Sequence, residues 1–396
     1  MTTFDSSRPP EGTALAATTV RAVRAWQLAP QPAGHAAGLP EPVAASAVAP
    51  AGPAWAEHRT RFAIELVADS VSGWHAPVSE TVLQVIVDDL AAGLIGHDAA
   101  APRRLPYRRR TGRHRAGAHA RQAVSAVDLA CWDLASRDAG TAVTDLLGGT
   151  VRSHIPAYAS ALGLDPAHDA APESAAWITD AGFWGQKWPL TKQLIHAGPK
   201  TVAAVFGSLR QAAGETRFMV DGLGRCRLDE AMRLLPVLAD LGVFFAEELL
   251  PPGSWGWHRL RSAGAGVPLA AGEHAIDEGE QIRLLTGGAV DVWQTDPGWS
   301  GGLARSLHTT ELAADLGMVT FPHGDRLAAA LALAGACCRD KIPSVEWHLT
   351  LEPLRQQVFT APWAPEKGML PVRTTAGLAA LPVLPEATAV LEVTGS

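Results

Sequence analysis

Apolar residues fall in two rhythms along this chain, and the change between them marks its organisation. Residues 20–28 and 61–69 are rich in branched apolar residues and predict strands. Ser72-Gly73-Trp74-His75 reads as a turn after the second of them. Residues 80–94 predict a helix. From Arg121 onward Val124, Val127, Leu129, Cys131, Trp132 and Leu134 form an apolar stripe at helical spacing, closed by Leu147-Gly148-Gly149. Beyond this point short apolar runs alternate with helical stretches such as 228–241 and 302–316. The runs end at Ser160, Lys187, Asp221, Glu247, Glu273, Asp296, His323 and about Glu346. Eight strands in βα rhythm predict a parallel barrel. The expected architecture is α/β: a modified (β/α)7β TIM barrel at 149–350 with an N-terminal α+β capping domain at 1–148. Residues from about 351 to 396 are expected to fold back on that domain. Residues 29–57 are rich in Ala, Pro and Gly, show no periodicity, and read as a lid or loop.

In a barrel of this kind the C-terminal strand ends open onto one face. Most of the predicted strand ends are titratable. Asp221, Glu247 and Glu273 stand 26 residues apart, so three carboxylates converge on one point. Three negative charges in a partly dry pocket require a cation, and all-oxygen ligands suit Mg²⁺.

Composition narrows the partners. The 396 residues carry a net charge of −7 and are 47% hydrophobic, which argues against a nucleic-acid surface and for a large core. The basic cluster from Arg103 to Arg115 reads as a solvated loop. Cys131, Cys226, Cys337 and Cys338 show no metal-type spacing, so reduced thiols in a cytoplasm are expected. The segment from Met1 to Asp5 lacks the features of a secretory leader, and no run suits a membrane span.

The motifs resemble the enolase superfamily, specifically its mandelate racemase-like subgroup. The resemblance rests on Ala126-Val127-Asp128-Leu129-Ala130-Cys131-Trp132-Asp133-Leu134, Leu147-Gly148-Gly149, Glu247-Glu248-Leu249 and Ala271-Gly272-Glu273. Asp296-Pro297-Gly298-Trp299-Ser300-Gly301-Gly302 and Pro322-His323-Gly324 extend it over most of the chain. It implies that Asp221, Glu247 and Glu273 bind Mg²⁺, with Glu248 a supporting residue. It also implies that His323 is the base that removes a proton α to a carboxylate, giving an enediolate. Asp296 would fix its tautomer, and Glu346 would act on the substrate carboxylate as an acid with a raised pKa.

Two departures shape the expected reaction. Racemases of the subgroup carry Lys-x-Lys on the second strand, whereas here Lys187-Trp188-Pro189-Leu190 places proline where the second base would stand. This string resembles rhamnonate dehydratase-like members. A single His-Asp dyad suits syn elimination: dehydration of an aldonate or aldarate to a 2-keto-3-deoxy acid, a hydro-lyase reaction. A racemase or epimerase of a 2-hydroxy acid or amino acid derivative is the alternative. A non-catalytic binding or regulatory paralogue is the third reading, motivated by Leu223 and the bare Gly222 and Gly224. Lys187 is expected to stabilise the enediolate or contact the carboxylate. Trp74, His75 and Trp188 are candidate substrate contacts, with His35 a weaker one. Arg326 either holds a distal carboxylate or pairs with Asp325. The expected partners are a small carboxylate and further copies of the chain, not nucleic acid or a membrane.

Overall fold

The computed structural model describes residues 18–29, 40–47, 61–99, 117–263, 266–385 and 389–395. The capping region begins with strands β1 (Ala22–Gln27), β2 (Arg61–Val67) and β3 (Ser72–Ser79). Eight parallel strands follow: β4 (His154–Ser160), β5 (Gly185–Pro189), β6 (Arg217–Asp221), β7 (Ala246–Glu247), β8 (Leu269–Ala271), β9 (Val292–Trp293), β10 (Val319–Thr320) and β11 (Val345–His348). They form one curled sheet in the order β10-β9-β8-β7-β6-β5-β4-β11, with β10 and β11 at its two ends. Two late strands fold back. β12 (Met369–Pro371) pairs antiparallel with β4, and β13 (Leu391–Thr394) pairs antiparallel with β1.

Ser72-Gly73-Trp74-His75 is not a turn. These residues lie in β3 and pair with β2 from Ile64 to Val67. Ser and Gly carry turn propensity, but burial of the sheet against a helix overrides it. That helix, Ala118–Ala139, starts three residues before the predicted Arg121. Its Val127, Ala130 and Leu134 pack in one core with Ile64 and Leu66 of β2. Its Leu129 and Trp132 belong instead to the barrel core, so a single helix serves both domains. The predicted helix at 80–94 is interrupted by a π-helical turn at Ile86–Ala91. Within the predicted 29–57 loop, Glu41–Ser46 is a short helix. His35 and the Arg103–Arg115 cluster lie outside the described residues.

Inside the curled sheet, Tyr158, Met219, Phe245, Ala270, Val292 and Phe321 form an apolar layer. Each fully buried large side chain of this kind stabilises by roughly 1.5–3 kcal/mol. Side chains alternate along a strand, so the next inward positions lie two residues later. Those positions are Ser160, Asp221, Glu247, Gly272, Gln294 and His323. The apolar plug thus seats a polar layer at the C-terminal mouth. Gly272 falls at an inward position with φ +144°, where an added Cβ would meet Trp293. This conformation ends β8 and allows the following Glu273 to join the inward carboxylates.

Candidate active site

At the mouth of the sheet, Lys187 is fully buried among acids. Its Nζ lies 2.8 and 2.7 Å from the two oxygens of Glu247, 3.1 Å from Glu346 Oε1 and 3.4 Å from Asp221 Oδ2. Burial opposes its charge, yet Glu247 and Glu346 hold its pKa well above the ordinary lysine value. Glu247 is pushed up to about 8, chiefly by burial, against the opposing pull of Lys187. Burial also raises Asp221 and Glu273.

The Asp296–His323 pair stands at the next two strand ends. His323 Nδ1 meets Asp296 Oδ2 at 2.5 Å. The other oxygen, Asp296 Oδ1, accepts from the backbone N–H groups of Gly298 at 2.5 Å and Trp299 at 3.1 Å. Both carboxylate oxygens are therefore committed, and the imidazole directs Nε2 inward, 3.5 Å from Glu273 Oε2. Trp299 braces the ring with a centroid distance of 4.8 Å. Burial opposes the imidazolium, but Glu273 and Asp296 outweigh it and raise the His323 pKa well above its usual value.

Glu346, expected to act on the substrate carboxylate, stands at the mouth with Oε1 3.1 Å from Lys187 Nζ. Burial would raise its pKa, but Lys187 and His323 hold it well below the carboxylate range. Its Oε2 accepts the Gly324 N–H at 2.9 Å. Trp188 is placed differently from expectation. With Lys187 inward, alternation turns Trp188 outward into the barrel core, where Nε1 donates to Gln186 Oε1 at 2.8 Å. It does not face the mouth.

Trp74 and His75 reach the barrel from β3. They line a cleft with Arg326, Arg355 and Glu352, enclosing about 540 Å³ with its open solvent included. His75 is buried, and its pKa is pushed down to about 3 by burial and by Arg326. Of the two roles open to Arg326, the structure displays pairing with Asp325, at 2.6 Å, together with a 3.3 Å contact to His75 Nε2. Asp325 also takes Arg355 at 2.8 Å and the Trp299 indole at 2.7 Å.

The residues fit a divalent cation. Five carboxyls, Asp221, Glu247, Glu273, Asp296 and Glu346, gather around one lysine and one histidine. Glu273 Oε2 is buried without a hydrogen-bond partner. Among the described residues, the acid-and-histidine group whose ligand atoms all lie within 4.8 Å of one another is Glu248, Glu273 and His274. It is not the expected trio; both oxygens of Glu247 accept from Lys187 Nζ. Glu248 reaches the mouth through a left-handed backbone, φ +35°, and its Oε2 meets His274 Nδ1 at 2.8 Å. The sequence carries a signal for this pair: it repeats the 26-residue spacing of the acids, shifted by one position.

Two family models match the chain. Residues 58–148 match the mandelate racemase/muconate lactonizing enzyme N-terminal domain, and residues 170–382 match the enolase C-terminal domain-like family. The chain belongs to the enolase superfamily. Solved structures agree with this placement. The 3,6-anhydro-D-galactonate cycloisomerase of Zobellia galactanivorans is 26% identical, with a TM-score of 0.72 over 81% of this chain and 91% of that one. A racemase from Streptomyces coelicolor A3(2) with bound magnesium is 21% identical, with a TM-score of 0.73 over 92% and 97%. A proposed dehydratase from Mesorhizobium loti is 18% identical, with a TM-score of 0.75 over 95% and 100%. Members of the superfamily use Mg²⁺ and act on small carboxylates. Among the described residues no helix is long and apolar enough to cross a membrane.

Proposed function

We propose that this enolase-superfamily protein dehydrates an acid sugar, an aldonate or aldarate, to its 2-keto-3-deoxy acid. Asp221, Glu247 and Glu273 would hold Mg²⁺, which when bound offsets the negative charge on the substrate carboxylate as it grows during proton removal. The single observation that carries the reading is the Asp296–His323 pair at 2.5 Å with Pro189 on the second strand. Nδ1 is occupied by Asp296, so Nε2 is the atom that accepts the proton from C2. The C3–O bond then breaks, and the departing hydroxyl takes that proton from Nε2 and leaves as water. The resulting enol rearranges to the 2-keto acid. Lys187 supplies a fixed positive charge beside the reacting carboxylate, and its neighbours Glu247 and Glu346 keep it protonated.

Pro189 has no side-chain proton to exchange, so one face of the substrate lacks a base. A 1,1-proton transfer needs bases on both faces, whereas syn elimination needs one. The test is a panel of acid sugars incubated with the Mg²⁺-loaded protein, with 2-keto acid detected by semicarbazide. Product from at least one member is expected. No keto acid across the panel, from protein shown to bind Mg²⁺, would overturn the reading. Deuterium incorporation at C2 with inversion and no keto acid would replace it with a racemase.

A further inference from the structure

The imidazole of His323 is gripped from two directions. Asp296 holds it in the plane of the ring, at Nδ1. One hydrogen bond fixes the tautomer but leaves the ring free to swing about it, and the second side-chain torsion of histidine has broad minima. The face of Trp299 limits that swing, with ring centroids 4.8 Å apart and an interplanar angle of 53°. Trp299 is only half-buried at the mouth, so packing alone does not fix it. Its indole Nε1 donates to Asp325 Oδ2 at 2.7 Å. Asp325 is itself immobilised. It is buried, its Oδ2 also takes Arg326 at 2.6 Å, and its Oδ1 takes Arg355 at 2.8 Å. Both arginines have further anchors. Arg355 donates to the Gly324 carbonyl at 3.0 Å and to Glu352 at 3.3 Å, and Arg326 Nε reaches His75 Nε2 at 3.3 Å. Gly324, the residue between His323 and Asp325, is thus held at both backbone groups, since its N–H is bonded to Glu346. Charge-assisted bonds of this kind are the strong ones, so Asp325 is a rigid post for the indole.

We propose that Asp325 is a positioning residue for proton removal at C2: it anchors Trp299 so that the indole face keeps His323 Nε2 aimed at the proton. This rests on the reading of His323 as the base and specifies how that base is held. Asp325 acts through Trp299 and not on the reacting atoms. A misplacement of about 1 Å at a reacting group costs on the order of a hundredfold in rate, so a released anchor is felt in turnover. The competing explanation is electrostatic, because the Asp325 charge also acts on His323. The two differ in what an amide does. In Asp325→Asn the oxygen stays toward Trp299 and Arg326, because turning the NH₂ group there would oppose two donors instead of one. That variant keeps the anchor and loses the charge.

The experiment uses the full chain with Mg²⁺ and two readouts. The first needs no substrate. Histidine is labelled with ¹³C at Cε1, and the His323 signal is assigned by its loss in His323→Gln. Its position reports the ring current of Trp299, and Trp299→Leu gives the value without an indole. In Asp325→Ala the signal is expected to move most of the way to the Trp299→Leu position, and in Asp325→Asn to stay at the parent position. The second readout is kcat and KM on the best substrate of the acid-sugar panel. Asp325→Ala and Trp299→Phe are each expected to lose about tenfold or more in kcat with KM within about twofold, and Asp325→Asn to stay within about threefold of the parent. The double variant Asp325→Ala/Trp299→Phe is expected to lose no more than the larger single loss, because both substitutions cut one link. A parent-like signal in Asp325→Ala would overturn the proposal. So would losses that multiply in the double variant, which mark separate structural effects, or Asp325→Asn as slow as Asp325→Ala, which marks the charge. Trp299→Phe leaves Asp325 and both arginines in place, so it decides the matter even where Asp325→Ala does not fold: kcat within about twofold of the parent would overturn the proposal. The two readings fail separately. The expected ring signals in a parent that turns over no acid sugar retain the anchor and remove the acid-sugar reading. Keto acid from the parent, with signal and kcat unchanged in Asp325→Ala, does the reverse.

Discussion

Replacing Asp296 with Asn tests the base without disturbing the shape of the site. Asp296 Oδ1 accepts two backbone N–H groups, from Gly298 and Trp299, and Oδ2 faces His323 Nδ1. In Asp296→Asn the amide oxygen must stay on the backbone donors, because turning the NH₂ group there would oppose donor to donor. The NH₂ group then faces Nδ1 and donates to it. The imidazole is forced into the tautomer with its proton on Nε2, the atom that must accept the substrate proton. In a serine protease triad the same exchange, through the wrong tautomer, costs about 10⁴ in turnover. Here the expected loss in C2 proton exchange is about 10³–10⁴, or about 4–5.5 kcal/mol at 1.36 kcal/mol per decade. The assay is deuterium exchange at C2 in D₂O, followed by proton NMR on the best substrate of the panel. Circular dichroism and the Mg²⁺-induced rise in Tm should match the parent. A correctly folded, Mg²⁺-binding Asp296→Asn protein that exchanges within tenfold of the parent would refute the dyad.

Three other outcomes are expected. Saturating Mg²⁺ should raise Tm, with about 2.7 kcal/mol of stabilisation at one hundred times Kd. Glu247→Gln should abolish that rise and Glu248→Gln should keep it, whereas the opposite pattern would move the ion to Glu248, Glu273 and His274. His75 and His348 are both held to a pKa of about 3 by burial, against about 6.5 when unfolded. Their folded pKa values are depressed, so the unfolded chain binds more protons between these limits. Stability is therefore full above pH 6.5 and falls on acidification, by up to ~1.4 kcal/mol per pH unit per histidine. The double variant His75→Gln/His348→Gln should flatten the decline of Tm between pH 6.5 and 4, and an unchanged slope would assign it to other groups. Gly302→Ala should be severely destabilised, by about 2 kcal/mol or more. Gly302 has φ +95°, and an added Cβ would overlap the Asp128 carboxylate. A normal melting curve for that variant would show that the loop yields easily.

The site was legible because a repeating βα unit delivers its strand ends to one mouth, so chemistry appears in sequence as a period. Lys187, Asp221, Glu247, Glu273, Asp296, His323 and Glu346 were all readable that way. Trp188 was misassigned by proximity to Lys187, although alternation along the same strand excludes it. Ser72–His75 was misread because local propensity favoured a turn, whereas pairing with β2 and a helix beneath the sheet decided the outcome. The charge state of Glu346 depends on Lys187 and His323, which reach it from other strands. The paired acids Asp128 and Asp133 were visible as a motif but not as links. Asp128 accepts the Leu303 N–H at 2.9 Å, just past the Asp296 loop, and Asp133 accepts from Trp74 and Leu378.

The pairing of β13 with β1 has a consequence for the order of assembly. Arg24 and Glu392, joined across these strands at 2.9 Å, are 368 positions apart in the chain. During synthesis at about 5–20 residues per second, the first strand emerges at least ~20 s before its outer neighbour exists. Until then β1 presents an unpaired edge, the kind of surface that recruits other chains. The whole barrel is made inside that interval. The capping sheet, first in sequence, is therefore the last part of the molecule to be completed, and until β13 arrives β1 rather than β13 is the exposed edge.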